Sequence, residues 1–411
     1  MSLYESKREK LLNFLKLGLN PFKNFVSTGE LKEELGLVKS RNNLFENIKN
    51  RLENEKSLIL PLIGDIGVGK TYLYWHFKNN LYFYNTIYAS LETLKSRFFY
   101  TIYSEFIEIL GIDLVRFILN QLCDQWGAFE RKFGFFYTAN KAKASVNALE
   151  YFLPSYNDVD LEILQDVIKG ILVHQLDPYK KMDAEEWLLG KPLGTKELRN
   201  LNLDSDLHKS RNAYIMLRIL VENAKLDTVL FIDDFEKIIA SANSTDEETE
   251  EVFDPSWLYG KEKSPDYLKS EKLLNKLISL MNIRKFHLVI TVKSPQILDE
   301  IKQLLEETYP QLRDKIGEPL FIENFKEKDI YEFYTQKMLN FYEEMDLKEF
   351  IDAFQNPYFP LNKKTLKKIF SKAQGNPRGI IKSLINLFNE ITYSDEDLDT
   401  ILDKYNKSNE I

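Results

Sequence analysis

Residues 58–77 read LILPLIGDIGVGKTYLYWHF: an apolar run, three glycines and a lysine, then a second run rich in aromatics. Within it Gly64, four further residues, Gly69, Lys70 and Thr71 match the spacing G-x-x-x-x-G-K-[ST]. The spacing has a mechanical reason. Glycines let the backbone curl until successive N–H groups point inward at phosphate oxygens, and the helix that follows adds the positive end of its dipole. On this reading Gly64, Asp65, Ile66, Gly67, Val68 and Gly69 form the cradle, Lys70 reaches the β- and γ-phosphates, and the Thr71 hydroxyl ligates Mg²⁺. The expected ligands are therefore ATP and Mg²⁺. A glycine-rich turn could match by chance, but here Leu58–Ile63 reads as a buried strand and Thr71–Asn79 as a helix, the context that the spacing needs. Pro61 stands against the strand, because proline cannot donate to a central ladder.

A site of this kind needs a second strand ending in a carboxylate. Thr228–Asp233 supplies it, in FIDDFEKI. Asp233 is expected to hold the Mg²⁺ shell through water and Asp234 to polarise the attacking water, with Glu236 as the rival base; the alternative is that the paired aspartates only cap a turn. At the end of the strand HLVITV, Thr291 is the first choice to orient water or the γ-phosphate, ahead of Ser294, which also caps a helix opened by Pro295. In GNPRG, Gly375 ends one helix and Pro377 opens the next. Arg378 then sits where the helix dipole offers a cation nothing, so it is expected to face an anion.

Further strands are expected at Tyr84–Ser90 and Pro319–Ile322, and helices over residues 4–18, Asn42–Glu53, Leu94–Leu110 and Leu161–Gln175. Apolar strands separated by helices predict an α/β fold, a parallel sheet flanked by helices, and the all-helical pattern after Glu327 predicts a separate small bundle. A chain of 411 residues suggests two or three domains. No apolar run approaches the roughly 20 residues that span a bilayer, and the N-terminus lacks a secretory pattern, so a cytoplasmic protein without membrane association is expected. The single cysteine, Cys123, cannot pair within the chain, and the four histidines lack metal-ligand spacing. A net charge of −8 argues against a surface devoted to nucleic acid. One local patch, LNKKTLKKIFSKAQGNPRGIIKSL, carries Lys363, Lys364, Lys367, Lys368, Lys372, Arg378 and Lys382 without an acid; it could grip DNA or be a solvated helix face. The acidic stretch Ser244–Asp254 reads as an exposed loop.

These motifs together resemble AAA+ and related P-loop ATPases, particularly the initiator-like branch that contains the origin-recognition ATPases. GDIGVGKT resembles Walker A, VLFIDD Walker B, the ITV strand sensor 1 and GNPR sensor 2 on a helical lid. VKSRNNLFENI resembles the element before the first strand and places Arg41 where the family contacts adenine, although Ser40 replaces the usual glycine. The resemblance implies an N-terminal helical segment (1–29), an ATPase core (30–99 and 206–325), a mainly helical insertion (100–205) and a helical lid (326–411). The insertion follows from distance: 162 residues lie between Lys70 and Asp233, whereas a βαβ step needs only about 30. Within it, EEWLLGKPLGTKELRNLNL resembles ATPases of bacteriophage-exclusion systems, unless Trp187, Leu188 and Leu189 are simply core. Only 32 residues follow Gly379, too few for the winged helix of initiators. In oligomeric members an arginine finger acts in trans; Arg313 or Lys315 stands near its position, in what could also be an exposed turn. The implied activity is hydrolysis of ATP to ADP and phosphate, coupled to remodelling or loading on DNA, in replication or mobile-element defence, with a protein partner or a homo-oligomer. A nucleotide-gated switch or scaffold with slow turnover is the second reading, and a small-molecule kinase the third.

Overall fold

The structure, a computed structural model, describes residues 3–22, 38–54, 59–80, 83–132, 136–238, 265–308, 315–351 and 353–408. The acidic stretch at Ser244–Asp254 and the finger candidate Arg313 lie outside these residues. Seven strands occur among them in chain order: β1 (Ile59–Ile63), β2 (Tyr84–Ser90), β3 (Phe129–Lys132), β4 (Phe136–Ala139), β5 (Asp227–Asp233), β6 (Phe286–Val292) and β7 (Leu320–Phe321). Five of them make an all-parallel sheet in the order β2-β5-β6-β1-β7. The α/β architecture expected from the sequence, with flanking helices, a large helical insertion and a helical C-terminal region, is the one observed. The fifth strand is shorter than its four apolar residues suggested.

Pro61 fits because of which edge it faces. In a parallel ladder alternate residues point to alternate neighbours. The Ile59 and Ile63 carbonyls accept from Gly317 N (2.9 Å) and Ile322 N (2.7 Å), so Pro61 turns its nitrogen to the same side. β7 pairs only with Leu62 and Ile63, and opposite Pro61 the ladder is interrupted. A missing donor costs nothing there.

The same alternation splits the core into two faces. Leu60, Leu62, Val229, Phe231 and Val289 pack with Ile48 and Leu52 of α2 (Lys39–Asn54) and with Leu73, Tyr74 and Phe77 of α3 (Lys70–Asn80). Ile59, Ile63, Ile87, Ile232 and Ile290 face the other way, into one continuous cluster with α4 (Leu91–Leu110) and the helices that follow it. These are α5 (Ile112–Gln125), α6 (Lys141–Phe152), α7 (Leu161–Leu176), α8 (Lys181–Leu188), α9 (Thr195–Leu201) and α10 (Ser210–Asn223). The helix α4, capped by Ser90, is kinked at Arg97 (φ −136°, ψ 59°) and runs on past residue 100 to Leu110. The antiparallel hairpin β3–β4 within this region carries no long apolar run and escaped the sequence reading.

Trp187 and Leu188 of the EEWLLG stretch are core residues. A Cβ on Gly170 of α7 would lie 2.5–2.7 Å from the Trp187 ring. Gly170→Ala is therefore expected to destabilise the fold by about 1–3 kcal/mol through overpacking, read as a lower midpoint of urea unfolding.

Later in the chain come α11 (Pro265–Met281) and α12 (Pro295–Thr308). The C-terminal helices α13 (Glu327–Glu344), α14 (Lys363–Lys372), α15 (Pro377–Tyr393) and α16 (Leu398–Lys407) have their own apolar cluster. The first helix, Leu3–Leu15, joins it: Leu11, Leu15 and Phe22 are buried there, with Phe22 packed against Tyr334 and Phe388. Among the described residues no helix is long and apolar enough to cross a membrane.

Candidate functional site

Because the sheet is parallel, the carboxyl ends of β1, β5 and β6 open onto one edge, the side on which such sheets present their ligand crevices. The Gly64–Thr71 loop leaves β1 there, anchored by Gly64 N on the Val292 carbonyl (3.0 Å). Gly67 and Gly69 take φ of +85° and +102°, conformations closed to most side chains. A Cβ on Gly64 would lie 2.8 Å from Val68 Cγ2 and 3.0 Å from Ile322 Cβ, so that position must be bare for the loop to close. The Lys70 ammonium folds back into the loop, donating to the carbonyls of Gly64 (2.7 Å) and Asp65 (3.3 Å).

Asp233, at the end of β5, is the hub of the site. Its Oδ2 accepts from the Thr71 and Tyr88 hydroxyls, both at 2.9 Å. Its Oδ1 accepts from the Thr291 hydroxyl and from Asp234 N (3.0 Å). Burial alone would raise this carboxyl's pKa, but the donors from Thr291, Thr71, Tyr88 and the Asp234 amide outweigh it, and the group lies below its ordinary 3.8. A depressed folded-state pKa contributes stability above the unfolded value, and this is lost as pH falls through the folded value. The stability advantage of the wild type over Asp233→Asn is accordingly expected to shrink below about pH 4, in denaturant titrations of both proteins across that range.

Asp234 follows at φ +53°, a left-handed conformation that aspartate tolerates better than most residues. The kink turns the Asp234 amide back onto Asp233 and the Thr291 hydroxyl (3.2 Å) and leaves its carboxylate half-exposed on a cleft of about 750 Å³. Lys70, Thr71, Asp233 and Arg378 line the same cleft, and Glu236 does not. Glu236 is buried in the 3₁₀ turn Phe235–Ile238. Sequence reading missed two lysines on the cleft wall. Lys237 pairs with Asp234 (3.0 Å) and Glu92 (2.8 Å), and Lys293 pairs with Glu236 (3.0 Å). Their signal was position, just past the carboxyl ends of two central strands.

Three expectations change in detail. Thr291 was assigned to water or phosphate, but its hydroxyl is buried and committed to Asp233. The neighbouring strand β6 lies between β1 and β5, so its end meets Asp233 first. Arg41 was assigned to the base. It borders the cleft, yet its guanidinium donates to the Val68 carbonyl (3.3 Å) and the Glu323 carbonyl, bracing the loop against the exit of β7, and burial lowers its pKa. The basic side chains of that stretch are exposed apart from the part-buried Lys368, but several of them have partners within the chain. Lys368 donates to the Asn406 and Ser408 carbonyls at the end of α16, Lys372 covers Tyr405, Lys367 pairs with Glu327 and Lys363 covers Tyr331.

Other expectations coincide with the geometry. Ser294 caps α12 through Ile297 N. Asn376 caps α15, and its amide donates to the Ile66 carbonyl (2.9 Å), while Arg378 N donates to the Gly67 carbonyl (3.1 Å). The start of α15 is thus docked on the loop, with the exposed Arg378 side chain on the cleft and without an ion pair among the described residues. Val38, Leu44, Phe325, Phe333 and Ile381 give the cleft an apolar end. Lys315, the other finger candidate, is half-buried beside β1.

No family model matches the sequence, and no curated protein matches it. Among solved structures, that of the Aeropyrum pernix ORC2 protein in ADPNP-ADP complexes is similar over 94% of this chain and 72% of that one, at 13% identity and a TM-score of 0.43.

Proposed function

We propose that this chain binds MgATP in the cleft at the carboxyl edge of the sheet and hydrolyses it to ADP and phosphate, passing nucleotide state to the C-terminal helices. One observation carries the reading: Thr71 and Asp233, 162 positions apart in sequence, meet at 2.9 Å directly beside Lys70 and the glycine loop. A hydroxyl and an ionised carboxylate are the hard oxygen donors that Mg²⁺ prefers, and the loop positions that admit no Cβ suit a close approach of phosphate to backbone. The residues therefore fit the group. Thr71 and Asp233 would hold Mg²⁺, which when bound offsets phosphate charge and acts as a Lewis acid.

The chain's own residues do the rest. The loop amides and Lys70 bind and orient the phosphates, with Lys70 exchanging two carbonyl partners for phosphate oxygens. Asp234, on the cleft, takes the proton of the attacking water; Glu236, paired and off the cleft, is the weaker candidate. Arg378 answers phosphate charge, and its backbone contact to Gly67 couples that answer to α15. The apolar end accepts the base.

A second reading, a nucleotide-gated switch with slow turnover, draws support from the two lysines: both candidate bases are held in ion pairs, and a lysine must move aside before either can engage a water. DNA coupling, and a role in replication or mobile-element defence, rest on resemblance. The lysines of α14, exposed but in part engaged within the chain, and the packing role of Trp187 and Leu188 do not by themselves favour either. Steady-state ATP hydrolysis over a range of protein concentrations, with and without duplex DNA, tests the proposal. Turnover that rises with concentration and DNA is the result for an assembling, DNA-coupled ATPase. Tight binding with negligible turnover throughout gives the switch, and the absence of any nucleotide binding removes both.

A further inference from the structure

The carboxylate of Asp233 has about four lone-pair sites to offer, and in this structure each is met. Thr291 and the Asp234 amide occupy Oδ1; Thr71 and Tyr88 occupy Oδ2. Three of these donors belong to the loop and strands already described. The fourth, Tyr88, comes from β2 at the far edge of the sheet, two strands away from β6, and nothing in the phosphate-loop pattern requires it. Its ring packs at a tilt against Tyr74 (4.7 Å between centroids) and sits opposite Phe231 in the β2–β5 register. Phenylalanine would fill the same space, so the packing does not call for the hydroxyl. A phenol beside an ionised carboxylate is the donor of the pair, and the 2.9 Å contact to Asp233 Oδ2 is that bond.

We propose that Tyr88 is a positioning residue that sets the cation preference of the site, by closing the lone pair through which Asp233 could bind a bare cation. The inference rests on the MgATP reading above. When Thr71 turns to the cation, it frees a single lone pair on Oδ2, enough for one O–H of a hydrating water; Tyr88, Thr291 and the Asp234 amide keep the other three sites closed. Such a carboxylate is an outer-shell acceptor. That suits Mg²⁺, which gives up its water reluctantly, and disfavours Ca²⁺ and Mn²⁺, which take carboxylate oxygen directly with less penalty. Removing the Tyr88 hydroxyl opens one more lone pair and admits direct coordination.

The test is the cation dependence of nucleotide binding, with a fluorescent ATP analogue titrated in EDTA and then under Mg²⁺, Mn²⁺ or Ca²⁺, for the full chain and Tyr88→Phe. The wild type is expected to favour Mg²⁺. In Tyr88→Phe the Mn²⁺ or Ca²⁺ concentration for half-maximal tightening is expected to fall about tenfold, the scale of a hydrogen bond to a charged group that no longer competes for the carboxylate, while the requirement for Mg²⁺ changes less. Equal shifts for all three cations would reduce Tyr88 to a structural contact and overturn the proposal, as would no shift at all. A wild type whose nucleotide affinity ignores every cation would instead overturn the MgATP reading itself. Should Tyr88→Phe lose its fold by circular dichroism, Thr291→Val opens a lone pair on the other oxygen and is expected to relax the same preference; an unrelaxed preference there overturns the proposal equally.

Discussion

Lys70→Ala is expected to weaken nucleotide binding by about 2–5 kcal/mol, roughly 30-fold to several thousandfold, the usual cost of truncating one partner of a desolvated charged contact. The effect should exceed that of any other single loop substitution. The Lys70 ammonium rests within the loop on the Gly64 and Asp65 carbonyls, so little ordering of this side chain remains to be done on binding. Lys70→Arg separates charge from shape: the charge is kept, but a bulkier planar guanidinium replaces the compact ammonium that sits on the Gly64 and Asp65 carbonyls. It should recover only part of the loss. Equilibrium titration with a fluorescent ATP analogue measures both, and an unchanged affinity in Lys70→Ala would remove the phosphate assignment.

Asp234→Asn is expected to retain nucleotide while lowering turnover by about 10²–10⁴-fold, the range assigned to a positioned proton acceptor. The left-handed backbone at Asp234 is one that asparagine also tolerates, so the turn should survive. What changes is the side chain on the cleft, which loses its charge and its ion pair with Lys237. Glu236→Gln is the matched comparison. Its carboxylate is buried, off the cleft and paired with Lys293, so its loss should move turnover less. If the larger drop falls on Glu236→Gln, Lys293 must release it in the working state and the roles are exchanged. If neither substitution changes turnover, the water is activated elsewhere.

Much of this site was legible because its parts are short and local. Gly64, Gly69, Lys70 and Thr71 lie within eight consecutive residues, and backbone freedom, charge and hydroxyl are each needed at a fixed offset, so chemistry dictates residue type. Asp233 was legible for a related reason: a buried aliphatic strand has few grounds to end in paired aspartates. Arg378 was legible as a misfit with the helix dipole. The readings that changed concern long side chains whose partners come from elsewhere in the chain. Arg41 could reach a base or two backbone carbonyls, Thr291 a phosphate or a neighbouring carboxylate, and Lys368 a nucleic acid or a helix end; sequence periodicity gives no reason to choose.

The sequence by itself determined the strands of the parallel sheet, the loop between β1 and α3, and the identities of the groups proposed to meet phosphate and metal, because local backbone geometry and hydrophobic alternation act over a few residues. Only the tertiary structure decided the rest. Placing β6 between β1 and β5 brought Thr291 onto Asp233. Pairing β2 with β5 added Tyr88 to the same carboxylate. Docking α15 on the loop put Arg378 on the cleft, and packing of the first helix with the last four joined the two ends of the described chain. Each of these contacts joins residues far apart in the chain, and strand order and helix docking are set by the fit of whole apolar faces, a quantity that no short stretch of sequence contains.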